Sequence, residues 1–263
     1  MRHLPAVFGI YLVSFLFIIS WKPEPAQWLM EKHKGFTFYY TSADKDNKAE
    51  YIEILENGIK QVNQFFSQDY ASSFTVYSHP HRSSLDSTWQ KDWNMPGFKS
   101  ECWMVASGVA TRVDMISPKY WDTQSCEHSY LNTEKTRQLI THELVHVFHG
   151  QQNISKDFSN TEGIDWFVEG LATYASGQLD PGKLSEIKKA IKDSKVPTTL
   201  DKFWTGKLRY GLSGSLVMYI DLKHGRNTIN ELLKFNKIAD ILSTLNTSEE
   251  QLLSDWKAHM LSH

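Results

Sequence analysis

The residues best suited to chemistry lie near the middle of the chain. His142-Glu143-Leu144-Val145-His146 reads H-E-x-x-H. Residues four apart share one face of a helix, so the imidazoles of His142 and His146 can converge on one metal ion. Glu143 sits beside that face, where a carboxylate can reach a metal-bound water. Two imidazoles do not complete a site, and the missing ligand is found downstream. Glu169 lies within the apolar, aromatic run Trp166-Phe167-Val168-Glu169-Gly170-Leu171-Ala172-Thr173-Tyr174. An unpaired carboxylate in such a segment would be costly to bury, so it needs a partner. Two His and one carboxylate, with a fourth position left to water, make an open catalytic zinc site; four protein ligands would make a structural one. The expected cofactor is one Zn2+ ion held by His142, His146 and Glu169.

These residues must be positioned by helices. Residues 133–150 read as the first: Thr133 with Glu134 offers a start, Leu139, Ile140, Leu144, Val145 and Val147 supply an apolar side, and Gly150 can end it. A second helix carries Glu169, with Asp165 as its N-cap, and the chain between has room to turn back. Upstream, 35–40 reads as a strand, 46–66 as an amphipathic helix, 73–77 as a strand and 84–93 as a short helix. Residues 103–116 read as one or two strands around Gly108. Downstream the chain turns helical, over 184–193, 210–223, 227–235 and 248–260. The small residues Gly211-Leu212-Ser213-Gly214-Ser215 lack a phosphate-loop ending and suit close helix packing instead.

H-E-L-V-H followed by W-F-V-E-G-L-A-T-Y resembles the gluzincin metallopeptidases, in particular the peptidase MA-like domains of secreted and membrane-bound proteins. The metzincin pattern is not met, because His149 and Gln152 occupy its Gly and last His positions. The resemblance covers residues 35–260 as a pattern of elements. It implies an α/β (α+β), zincin-like (thermolysin-like) domain over 35–263. The N-terminal lobe, 35–150, would hold a mixed β-sheet and the active-site helix, and the lobe 151–263 would be mainly helical. It also implies hydrolysis of peptide bonds in a peptide or protein substrate, with Glu143 as the base. Tyr210, opening a helix of the second lobe, is the candidate stabiliser of the oxyanion, with Arg209 or His149 in reserve. The strand 108–113 is expected as a substrate-binding edge or, alternatively, an interior strand. Some aminopeptidases share W-x-x-E-G-x-x-x-Y but carry a G-x-M-E-N stretch upstream. Residues 108–113 hold no such Glu, which favours an endopeptidase over an aminopeptidase. A catalytically idle, zinc-folded binding module is the remaining alternative, and the presence of Glu143 argues for an enzyme. Some gluzincins place Asp four residues after the ligand Glu. Thr173 stands there instead, which leaves open what orients the imidazoles.

At 263 residues the chain can bury one two-lobed core plus an N-terminal extension. A net charge of −2 gives no reason to expect nucleic acid. Lys188, Lys189 and Lys192 read as a solvated helix face. Residues 4–20 are almost wholly apolar behind Met1-Arg2-His3, and read as a signal peptide or an N-terminal membrane anchor. A spacer, 21–34, follows. Either reading places the catalytic part outside the cytoplasm: secreted, periplasmic, or anchored and facing outward. Cys102 and Cys126 could form a disulfide that pins the loop before the active-site helix, or remain two buried thiols. Asn153-Ile154-Ser155 and Asn246-Thr247-Ser248 match the glycosylation sequon of a eukaryotic source.

Overall fold

The computed structural model describes residues 27–262. The apolar segment 4–20 lies outside them, and so do the questions it raises. Among the described residues no helix is long and apolar enough to cross a membrane.

Period-two alternation of aromatic and β-branched residues builds a mixed sheet. In β2 (Phe36–Tyr40) the rings of Phe36, Phe38 and Tyr40 are buried, while Thr37 and Tyr39 are half exposed. β1 (Leu29–Lys32) lies antiparallel to it, with Leu29 opposite Tyr40. This strand falls in the stretch 21–34 expected as a spacer. At four residues, none of them fully buried, it is an edge strand too short for its alternation to be read. β3 (Phe74–His79) runs parallel to β2. The stretch around Gly108 forms two strands, β4 (Ala106–Val109) and β5 (Arg112–Ile116). β5 runs parallel to β3, and β4 closes the sheet antiparallel to β5, giving the order β1-β2-β3-β5-β4. The stretch 108–113 is therefore split: Gly108 and Val109 sit on a sheet edge, whereas Arg112 and Val113 are interior.

Helices cover the sheet. α1 (Lys48–Phe66) buries Tyr51, Ile54, Leu55, Val62 and Phe66 at helical spacing. α2 (Arg82–Asp92) and the short α3 (Trp121–Gln124) follow. α4 (Thr133–Gln152) is the centre of the molecule, with every residue from Leu139 to Gln151 buried. A helix buried on all sides must satisfy its polar residues internally, which is where the chemistry collects. Asn132 caps it by accepting the Lys135 N–H. Gly150 does not end it: a Cβ there would sit 2.8 Å from Ala110 N and from Lys156 O, so this glycine admits the β4–β5 turn.

The remainder is helical: α5 (Asp165–Ala175), α6 (Pro181–Lys192), α7 (Arg209–His224), α8 (Arg226–Leu232), α9 (Ile238–Thr244) and α10 (Glu249–Ser262). Asp165 is the first residue of α5 rather than its cap, which is Ile164. α5 and α7 pack closely, and a Cβ on Gly170 would meet Ser213 O at 2.5 Å. The small residues of α7 thus serve helix packing. Asn153 is only 1 % exposed and donates to Leu233 O and Phe235 O, both at 2.7 Å. Its side chain ties the end of α4 to the chain beyond α8, so the first sequon is inaccessible in the fold. Cys102 and Cys126 are bridged, with Cα atoms 5.4 Å apart.

Candidate metal centre

α4 turns His142 and His146 onto one face, and their Nε2 atoms approach to 3.0 Å. α5 returns beside α4 and delivers Glu169, whose Oε2 lies 3.2 Å from His142 Nε2 and 3.6 Å from His146 Nε2. A triangle with these sides has a circumscribed radius of about 1.9 Å, so a point just above its plane lies at zinc-ligand distance, about 2.0–2.2 Å, from all three atoms. His142 Nδ1 donates to Gln178 Oε1 at 2.9 Å. That places the proton on Nδ1 and leaves the Nε2 lone pair facing the other two atoms. The donor set, two imidazoles and a carboxylate, suits zinc. Among the described residues this is the group of three such side chains close enough to hold an ion together. The residues present therefore fit the metal that the motif implies.

Electrostatics fit the same arrangement. Burial acts to raise the pKa of Glu169, but the facing imidazoles of His146 and His142 outweigh it and hold the carboxyl below the usual range. Glu143 is 8 % exposed, and its pKa is pushed up to about 7. Burial is the main cause; the Glu169 charge adds to it, and His142 and the Gly108 N–H oppose it.

The cluster lies at the floor of a cleft of about 650 Å³. One wall is β4, whose outer edge pairs with no strand among the described residues. Gly108 is what lets β4 lie on α4. A Cβ at that position would stand 2.3 Å from Glu143 O and 3.1 Å from His146 Cβ. Past Val109 the edge is occupied, because Ala110 N–H donates to Lys156 O at 3.0 Å. Trp93, Trp103, Phe158, Trp204 and Tyr210 supply aromatic walls. Trp103 adjoins the bridged Cys102, and its carbonyl accepts from His128 Nε2 at 3.0 Å.

Tyr210 reaches the site from the start of α7. Its ring centroid is 6.3 Å from that of His142. Burial first, and then the Glu169 charge, push its hydroxyl up to about 12, so it stays a protonated donor at neutral pH. Arg209 is held among rings instead, its guanidinium carbon 4.7 Å from the Trp103 centroid and 5.2 Å from those of Trp204 and Tyr210. His149 is fully buried behind the site against Phe158 and Phe167, and does not line the cleft. Gln178, which sequence reading missed, sits in the loop after α5, where no helical or strand period could mark it. Glu127, Asp157, Asp165 and Asp180 also line the cleft, but none stands on β4.

No protein family matches the chain by sequence pattern, and no curated protein matches it. Solved structures do match. The chain is similar to native yeast LTA4 hydrolase, with 13 % identity and a TM-score of 0.50, over 90 % of this chain and 38 % of that one. Yeast LTA4 hydrolase in complex with bestatin gives 13 %, 0.51 and the same coverage. A mutant M1 zinc metallopeptidase from Deinococcus radiodurans gives 16 % and 0.46, over 84 % of this chain and 48 % of that one. At these identities the likeness to the yeast hydrolase is one of fold: a mixed sheet beside a mostly helical remainder. The chain spans less than half the length of each of these proteins.

Proposed function

We propose that this chain is a zinc-dependent peptidase of the gluzincin type, with a thermolysin-like pair of lobes meeting at the cleft. The observation that carries the reading is the convergence of His142 Nε2, His146 Nε2 and Glu169 Oε2 beside the buried Glu143. When bound, zinc would acidify a water and polarise the scissile carbonyl.

The chain's own residues account for the rest. Glu143 takes a proton from the attacking water and returns it to the leaving amine. Burial raises its proton affinity above that of an ordinary carboxylate, which helps it take up the water's proton. Tyr210 donates its hydroxyl proton to the oxygen on which negative charge develops. β4 offers an unpaired edge to an extended peptide, whose backbone can bond to it whatever its sequence. The aromatic walls take side chains and exclude water. Peptide or protein substrates follow, and nucleic acid does not.

An endopeptidase is the reading we favour, because residues 108–113 lack the Glu that aminopeptidases of this resemblance carry in G-x-M-E-N. The aminopeptidase reading would have to draw on Glu127, Asp157, Asp165 or Asp180, which line the cleft elsewhere. The bridged cysteines support a place outside the cytoplasm, secreted or anchored through residues 4–20. The test is cleavage of a peptide library with free and with acetylated N-termini, by protein stripped with chelator and then reloaded with zinc. Internal cleavage of blocked peptides, restored by zinc, is expected. Removal of residues only from free amino ends would favour the aminopeptidase reading. No cleavage by the loaded protein would leave a zinc-folded binding module.

A further inference from the structure

The orientation of His142 is assigned by this structure to an amide. We propose that Gln178 is the positioning residue of the metal centre, holding His142 in the tautomer that binds. The inference rests on the metal site proposed above. A metal-bound imidazole must present a bare nitrogen, so its other nitrogen carries the proton and needs an acceptor. Thr173, one helical turn after Glu169, supplies no such acceptor: its Oγ1 is buried without a hydrogen bond. Gln178 Oε1 instead lies 2.9 Å from His142 Nδ1.

The backbone is shaped to bring it there. α5 ends, and Gly177 adopts φ +82°, a left-handed conformation that side-chain-bearing residues rarely take. The chain is thereby turned back over α4. Gln138, one helical turn before His142, donates from Nε2 to Gly177 O at 3.1 Å and fastens the turn to α4. Leu179 N–H donates to Thr173 O at 3.2 Å and fastens it to α5. Gln178 is thus held between the two helices that carry the three ligands. The second imidazole has no such support: His146 Nδ1 is buried with no hydrogen-bond partner in the structure. Hydrogen-bonded orientation at this centre therefore rests on Gln178 acting on His142, while the His146 ring is placed by its edge contacts with His142 and Phe158. A neutral amide accepts more weakly than a carboxylate, so this centre should hold zinc less tightly than a carboxylate at the same place would.

The test is zinc affinity, measured by chelator competition on the purified chain, for wild type, Gln178→Leu, Gln178→Met and Gln178→Glu. Far-ultraviolet circular dichroism controls for folding. Loss of such a partner typically weakens metal binding by about 10–100-fold, and that loss is expected of Gln178→Leu and Gln178→Met. Gln178→Glu should match or exceed wild type. The cobalt-loaded wild type and Gln178→Glu should share a ligand-field spectrum that Gln178→Leu alters. If wild type binds zinc and folded Leu or Met variants bind it equally well, Gln178 has no positioning role. Weakening of all three variants alike would equally refute it, as the mark of a merely structural residue. A wild-type chain that binds no zinc would instead remove the metal centre, and this inference with it.

Discussion

Gly108→Ala probes how close β4 must lie to α4, the helix that carries His142 and His146. The added Cβ would stand 2.3 Å from Glu143 O, 3.0 Å from Glu143 C and 3.1 Å from His146 Cβ. An ordinary carbon–oxygen contact is about 3.3–3.6 Å, so the shortfall is about 1 Å. Two of the three opposing atoms are α4 backbone and cannot rotate aside, and α4 itself is buried along this stretch. β4 must therefore withdraw. Overpacking of this kind costs about 1–3 kcal/mol. At about 2–4 °C per kcal/mol for a domain of this size, Tm should fall by about 2–12 °C. The functional loss should be larger in proportion, because β4 is the proposed substrate edge. A displacement of about 1 Å in a positioning element can cost about 100-fold in rate. Zinc content should not change, since no ligand is replaced. The assay is thermal melting together with kcat/KM on a peptide drawn from the library. A variant with unchanged Tm and unchanged kcat/KM would refute both the close packing of β4 on α4 and its role as the substrate edge.

Four further outcomes can be checked. Glu143→Gln keeps the shape of the side chain but removes the proposed base, so zinc content should hold while kcat falls by about 10²–10⁴-fold; near-normal turnover would reassign that role. Tyr210→Phe should lower kcat by about 10²–10³-fold with zinc and folding intact, and an unchanged kcat would remove Tyr210 from the mechanism. His149 gives a stability limb in acid. Burial first, with the His146 charge second, lowers its pKa to about 3, whereas the unfolded chain protonates it near the ordinary 6.5. Between those values the unfolded state binds more protons, so stability falls as pH drops through the window, by at most about 1.4 kcal/mol per unit. Urea titrations of His149→Gln from pH 7 to pH 4 should show a shallower loss than wild type, and parallel curves would contradict the assignment. Finally, the bridge joins residues 24 apart, and chain entropy assigns such a loop about 3.5 kcal/mol. The double variant Cys102→Ser, Cys126→Ser should lose stability of that order in denaturant melts, and undiminished stability would rule that contribution out.

The legible parts of the sequence were those governed by local period. H-E-x-x-H could be read because positions four apart share a helix face whatever surrounds them. Glu169 could be read because a carboxylate among Trp166, Phe167 and Leu171 needs a partner, and the structure sets it beside the imidazoles. Helix α1 announced itself by the helical spacing of its apolar residues, and strand β2 by an aromatic, β-branched run bounded by Gly35 and Ser42-Ala43-Asp44. What escaped was set by tertiary packing. β1 is four residues of half-exposed edge, and α9 is seven residues with Ile241 alone buried. Gly150 suggested a helix end but answers to the β4–β5 turn. Asn153 matched a sequon, yet its amide bonds to carbonyls 80 and 82 residues away, beyond any local pattern. Gln178 reaches His142 only because Gly177 reverses the chain, and one glycine after a helix is no signal of a ligand's partner.

The central claim is that one zinc ion is held by His142, His146 and Glu169. The most direct measurement is anomalous X-ray scattering recorded on either side of the zinc edge, from crystals of the zinc-loaded chain. One strong peak is predicted, about 2.0–2.2 Å from His142 Nε2, His146 Nε2 and a carboxylate oxygen of Glu169. A loaded crystal with no peak among these three side chains, or with Glu169 turned away from the ion, would contradict the account.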